Sequence, residues 1–211
     1  MTAHTPVTTT IRPLQPEEIY TIYTTHSVRH FPDSERKPLA SIRRMVAEGI
    51  YHGYGLFSPG QTDPADPQPL EQEDLMGYAF CTMPPCCSHI LLDYFAILEE
   101  YRSRGVGSLL LQQLKSLLEN TKNGILIESE DPDHSNDIEE TTQQWRRIAF
   151  YEKNHAVDTG LRAEVFHVPY RVLCLPFSSM PSQEAVRTDF RQIYHYMVSP
   201  EQFTKYIVIH S

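Results

Sequence analysis

The sequence predicts an α/β fold organised around a parallel strand–helix–strand unit, and three stretches carry that expectation. Ile90 to Leu98 is an apolar run of strand length. Arg102-Ser103-Arg104-Gly105-Val106-Gly107 follows it and opens a helix in which Val106, Leu110, Leu114, Leu117 and Leu118 recur at helical spacing. Gly124 to Glu130 then reads as a second buried strand, so the helix is a right-handed crossover between parallel neighbours.

The flanking elements follow from local signals. Thr8 to Leu14 is β-branched and alternating, a first strand, and Pro16-Glu17-Glu18 starts a helix with acidic residues in its first turn. Ile19, Ile22 and Tyr23 form the buried face of that helix, and His30-Phe31-Pro32 breaks it. Pro38 begins a second helix that reaches about Glu48 and closes at Gly49. Tyr54 to Phe57 and Leu75 to Met83 are strands two and three. Between them, residues 59–74 hold four prolines and five acidic residues, which suits a surface loop. Asp131 to Asp137 is a polar break that caps a helix from Ile138 to Lys153, with Gln144, Ile148 and Tyr151 on one face. Val157 to Val168 and Tyr170 to Phe177 form a closing pair of strands, with Pro169 at the bend between them. Ser182 caps a C-terminal helix whose Val186, Phe190, Ile193, Tyr194 and Met197 make one apolar face, and Pro200 ends it.

The 211 residues suit one domain with an extension, and 40% hydrophobic with 21% charged residues describe an ordinary globular chain. A formal charge of −9 opposes unspecific attraction to nucleic acid or anionic lipid. With no apolar run of membrane length and no basic, apolar leader, the expected location is cytoplasmic. Cys81, Cys86, Cys87 and Cys174 include no C-x-x-C pair and read as reduced thiols, and the histidines show no ligand spacing, so no metal is expected.

The turn before the central helix carries the chemistry. Gly105 and Gly107 let the backbone approach an anion without an intervening Cβ, and the first helical N–H groups point outward with the positive end of the helix dipole behind them. A Walker A loop requires Gly-Lys-Ser/Thr, and a dinucleotide fingerprint requires G-x-G-x-x-G; Gly105-Val106-Gly107-Ser108-Leu109-Leu110 supplies neither. The spacing R-x-x-G-x-G after Phe95-Ala96-Ile97-Leu98-Glu99-Glu100-Tyr101 resembles motif A of the GCN5-related N-acetyltransferase (GNAT) superfamily. Arg147-Ile148-Ala149-Phe150-Tyr151-Glu152-Lys153-Asn154 resembles its motif B.

The resemblance implies a mixed, mostly antiparallel sheet of about seven strands with a parallel strand 4/strand 5 pair, flanked by helices. It covers an acetyltransferase domain over 1–177 and leaves 178–211 as a C-terminal helical extension. It implies acetyl-CoA as cosubstrate, an N-acetyltransferase activity, and direct attack by a small-molecule or peptide amine in a ternary complex. Backbone groups of Ile97 and Leu98 would meet the pantetheine arm. The N–H groups of Arg104 through Ser108, including Gly105, Val106 and Gly107, would hold the pyrophosphate beside the Arg102 and Arg104 side chains, with Gln144 hydrogen-bonding the cofactor. Tyr151 matches the tyrosine that protonates the departing thiolate. A protonated amine must lose a proton before attack, and Glu128 is the candidate base, with Asp93 and Glu130 beside the acceptor; all three read equally as salt-bridged strand-end carboxylates. Gln144 and His155 replace the Asn and Gly usual in motif B, and Asn154 is expected to absorb the left-handed geometry at the helix end. Two other readings stay open: a non-catalytic acyl-CoA-binding module, and a partner-binding subunit that includes a homodimer through the last helix.

Overall fold

A computed structural model describes residues 9–58, 74–135 and 137–210, with the backbone alone at Ser34. The proline-rich acidic stretch up to residue 73, and the start of the first expected strand at Thr8, lie outside the described residues.

Eight strands form one sheet: β1 (Thr10–Pro13), β2 (Tyr51–Phe57), β3 (Leu75–Thr82), β4 (His89–Ile97), β5 (Gly124–Glu130), β6 (Val157–Val165), β7 (Val168–Pro176) and β8 (Ile207–Ile209). Their order is β1-β2-β3-β4-β5-β7-β6-β8, and every pairing is antiparallel except β4 with β5. The mixed sheet with its central parallel pair is the architecture the sequence implies, with one strand more.

Helices cover both faces. α1 (Pro16–Ile22) passes through a π-helical turn (Tyr23–Ser27) into α2 (Val28–His30), and α3 is Leu39–Ala47. Gly49, at φ +71°, ends the α3 segment, as expected of a glycine beyond a helix terminus. α4 (Val106–Leu118) and α5 (Ile138–Lys153) pack on one face, where Leu111, Leu114, Ile127, Tyr151 and Leu173 share a core. On the other, Ile19, Ile42 and Met45 join Leu126, Val172 and the apolar face of α6 (Gln183–Met197). The last helix is therefore built into the main core.

Local expectations fail in instructive places. Leu117 is exposed and Leu111 takes the buried position on α4. Pro169 lies inside β7 opposite Glu164, and the turn is made by Phe166 and His167, both at positive φ (49° and 70°) as a tight two-residue hairpin requires. His155 itself adopts the left-handed conformation (φ 70°) after α5, while Asn154 does not. Its N–H bonds Glu152 O at 2.9 Å and the Ala156 N–H bonds Tyr151 O at 3.0 Å, a Schellman ending completed with histidine in place of glycine. Pro200 does not merely stop α6: it is the first residue of α7 (Pro200–Tyr206), which Ser199 and Gln202 cap reciprocally, and α7 delivers β8 to the edge of β6.

Candidate active site

Two neighbouring strands separate in the middle of the sheet. β4 and β5 pair only from His89 with Gly124 to Leu92 with Ile127, so Asp93–Ile97 and Glu128–Glu130 face each other across a gap. The separation begins at a bulge, where Phe80 stands opposite Tyr94 and Cys81 opposite Leu92, leaving Asp93 as the extra residue. A bulge bends its strand and increases the local twist, which carries β4 away from β5.

The bulge and register decide which backbone groups meet the gap. Leu98 N–H donates to Met76 O at 3.0 Å. By antiparallel alternation Ala96 then exchanges bonds with Tyr78, while Phe95 and Ile97 turn their N–H and C=O away from β3 toward the gap. Of the two positions expected along a pantetheine arm, Ile97 faces the gap and Leu98 faces β3; Phe95 is the gap-facing residue that the sequence reading omits. The Ile97 C=O already accepts from Arg102 Nε at 3.0 Å, so Arg102 ties the strand end to the turn.

Arg102, Ser103, Arg104 and Gly105 are exposed, and Gly105 caps α4 in the left-handed conformation (φ 80°, ψ 0°). Leu109 N–H is the first to reach back into the helix, to Gly105 O at 3.1 Å, so the N–H groups of Val106, Gly107 and Ser108 have no acceptor within α4. The two glycines serve different ends. A Cβ on Gly105 would meet nothing within 4 Å, whereas one on Gly107 would lie 3.1 Å from the Phe150 ring, so Gly107 lets α4 pack closely on α5.

α5 projects Gln144, Ile148 and Tyr151 inward, all buried. The Tyr151 ring lies 6.3 Å from Phe95 and 5.2 Å from Phe150, and its hydroxyl has no hydrogen-bond partner among the described residues. Burial pushes its pKa up to about 12, against a smaller pull from Arg147, so it is a neutral donor near pH 7. Gln144 Nε2 lies 3.5 Å from Glu130 Oε2, but Gln144 Oε1 and the Ser129 Oγ, on the half of β5 that has parted from β4, are buried without a partner among the described residues. Leaving such atoms unpaired costs about 1–3 kcal/mol each, which a bound molecule's donors would offset. The open turn, the gap-facing edge of β4 and these two orphaned atoms together fit a long, hydrogen-bonding thioester carrier.

The opposite face of the gap is acidic and rich in tyrosine. Glu128 alternates with the buried Leu126, and its Oε1 accepts from Tyr194 Oη of α6 at 2.7 Å. Burial raises its carboxyl to about 7; the Tyr194 hydrogen bond and Lys37 oppose the rise, and Asp93 adds to it. Both oxygens of Asp93 are engaged, Oδ1 by Lys37 Nζ at 2.5 Å and Oδ2 by Tyr51 Oη at 2.6 Å. Asp93 is thus the salt-bridged carboxylate of the alternative reading. Glu130 pairs with Arg147 at 3.3 Å, and burial first, with the Glu128 carboxylate second, lifts the hydroxyls of Tyr194 and Tyr170 well above the ordinary phenol range. Lys37, Tyr51, Tyr194 and Ser129 escaped the sequence reading. The first three meet their partners 56, 42 and 66 positions away in the chain, with no local signal to announce it.

The expected residues therefore fall into two sets on opposite faces, Tyr151, Gln144 and the α4 turn on one and Glu128 with Asp93 on the other, and the gap between β4 and β5 joins them. Among the described residues no cluster of His, Cys, Asp and Glu has the make-up of a metal site, and no helix is long and apolar enough to cross a membrane.

Residues 70–155 match the family model of the acetyltransferase (GNAT) domain, a span that contains the gap, the α4 turn, Gln144 and Tyr151. That span is thus similar to the acetyltransferase (GNAT) domain that the two motifs resemble. No curated protein matches the chain in sequence. Its fold resembles the ribosomal-protein-S18-alanine N-acetyltransferase of Escherichia coli at 17% identity, a TM-score of 0.52, and coverage of 82% of this chain and 96% of that one. Spermidine N-acetyltransferase from Vibrio cholerae, solved with CoA and spermine, gives 11% identity, a TM-score of 0.55, and coverage of 81% and 96%. A protein from Bacteroides thetaiotaomicron assigned to the GNAT family gives 18% identity, a TM-score of 0.58, and coverage of 90% and 99%. At these identities the likeness establishes the shared fold.

Proposed function

We propose that the protein transfers an acetyl group from acetyl-CoA to an amine by direct attack in a ternary complex. The observation that carries this reading is the gap itself, a slot through the sheet with a neutral proton donor on one face and a carboxylate near pKa 7 on the other. Bound acetyl-CoA would supply an activated acyl thioester. Val106, Gly107 and Ser108 N–H groups would hold its pyrophosphate with Arg104 nearby, Phe95 and Ile97 would receive its arm, and Gln144 Oε1 would accept from it.

Glu128 would take the proton that an alkylammonium must lose. A carboxyl near pKa 7 is partly ionised at neutral pH and closer in basicity to an amine than an ordinary glutamate. Tyr151, buried and protonated, would return a proton to the departing sulfur. Glu130 lies at the same strand end and would favour a cationic acceptor. Four free cysteines support a reducing, cytoplasmic setting. The test is thiol release from acetyl-CoA against a panel of amines that includes spermidine and an alanine-initiated peptide, alongside calorimetry with acetyl-CoA. Turnover with at least one amine is expected. Tight binding with no thiol release across the panel would instead support a non-catalytic acyl-CoA-binding module.

A further inference from the structure

The C-terminal helix adds a side chain to the site. α6 is held at two points: midway along it the Asp189 carboxylate accepts from Ser88 N and His89 N at 2.9 Å each and from the His89 ring at 2.6 Å, fixing the helix to the start of β4. At its C-terminal end Arg44 of α3 donates to Tyr196 O and Met197 O at 3.0 and 2.9 Å. Along its length Val186, Phe190 and Ile193 are fully buried, so the helix cannot shift without opening the core. Tyr194 is 2% exposed, its ring 5.0 Å from Phe190, and its hydroxyl ends on Glu128. A helix clamped at its middle and at its C-terminal end aims one phenol at one carboxylate beside the gap.

We propose that α6 completes the acceptor half of the site and that Tyr194 is a positioning residue, holding the Glu128 carboxylate in the orientation from which it takes the acceptor's proton. This rests on the role assigned to Glu128 above. The partly buried Glu128 carboxylate feels several other groups electrostatically, Lys37 from the segment before α3, Asp93 from β4 and Tyr170 from β7. Tyr194 alone among these hydrogen-bonds it. Because a hydrogen bond to the ionised form favours that form, the same contact restrains how far burial can raise the carboxyl.

The experiment is an NMR titration of protein labelled at the glutamate carboxyl carbons, with Glu128→Gln assigning the Glu128 resonance, repeated in Tyr194→Phe. Loss of one charge-assisted hydrogen bond should move the Glu128 midpoint upward by about one pH unit. The acid limb of kcat/KM, measured with whichever of spermidine or an alanine-initiated peptide is acetylated, should move by the same amount, with the KM for acetyl-CoA unchanged. Site-specific replacement of Tyr194 by a fluorotyrosine keeps the ring and strengthens the donor, so its shift should be downward; it also serves if Tyr194→Phe fails to fold. An unmoved midpoint in the phenylalanine variant, or shifts of the same sign in both, would overturn the proposal. If Glu128→Gln retains full turnover while the midpoints move as stated, the base assignment fails and takes the positioning role with it, leaving the acetyltransferase reading to stand on its own.

Discussion

The two glycines of the α4 turn look interchangeable in sequence, and the structure assigns them different work that a pair of substitutions can separate. Gly105 sits at φ 80° in open space, so alanine there meets no neighbour and suffers only backbone strain, about 1–2 kcal/mol. For a chain of this size that lowers Tm by roughly 2–8 °C. Asparagine tolerates the left-handed region, so Gly105→Asn should recover most of the loss and keep acetyl-CoA affinity near that of the parent.

Gly107 is helical, and its penalty is steric. A Cβ would lie 3.1 and 3.2 Å from two Phe150 ring atoms and 3.6 Å from Ile97 Cγ1, so alanine must push α4 from α5 or displace a ring that also packs on Phe95 and Tyr151. Overpacking of this kind costs about 1–3 kcal/mol. Asparagine at 107 should be worse than alanine, the reverse of the order at 105, and Phe150→Leu should relieve Gly107→Ala in a double-mutant cycle by about 1 kcal/mol. Thermal melts give the stability terms and calorimetry with acetyl-CoA the binding terms. If Gly105→Asn melts as low as Gly105→Ala, or if the Gly107 and Phe150 substitutions simply add, the division of labour argued here is mistaken.

Other outcomes follow from the same geometry. Glu128→Gln should cut turnover by about 10²- to 10⁴-fold at pH 7. The same variant should be the more stable protein above pH 7: the folded carboxyl is raised from the ordinary range to about 7, so its contribution is fully present at low pH and is lost as pH rises through that window. Allowing for its partial exposure, about 1–2 kcal/mol should be regained at pH 8 and almost none at pH 4, which melts at the two pH values will show. Tyr151→Phe should slow thiol release at least tenfold while leaving acetyl-CoA affinity within twofold, and equal turnover in single-turnover experiments would remove it as the proton donor. Asp93→Asn leaves Lys37 against a neutral partner and should destabilise by about 1–3 kcal/mol in denaturant titrations.

What could be read in the sequence was whatever neighbours in the chain decide. β5 and α5 match the expected ranges because Gly124 and Asp137 punctuate them; the Asp137 carboxylate accepts from Glu139 N and Glu140 N at 2.8 and 2.9 Å. Ser182 likewise caps α6 through Ala185 N at 3.2 Å. β8 escaped because three residues carry no periodicity and exist as a strand only by pairing with β6. The site divides in the same way. The α4 turn, Gln144 and Tyr151 lie in two contiguous motifs, whereas the environment of Glu128 is assembled by α6 and the segment before α3, and the engagement of Asp93 depends on a lysine and a tyrosine from elsewhere.

On the proposed reaction Tyr151 and Glu128 coexist as acid and base because their pKa values lie far apart, and the gap brings them to opposite sides of one molecule. Burial raises both Tyr151 and Glu128, yet from starting points so far apart that one stays protonated at neutral pH while the other titrates there. Had β4 and β5 paired along their whole lengths, the sheet would seal these groups from each other and no molecule could touch both. The bulge at Asp93 prevents that, and the ion pair with Lys37 and the Tyr51 hydrogen bond hold the extra residue on the acceptor side. On the proposed reaction, loss of this ion pair should therefore lower activity even with acetyl-CoA saturating.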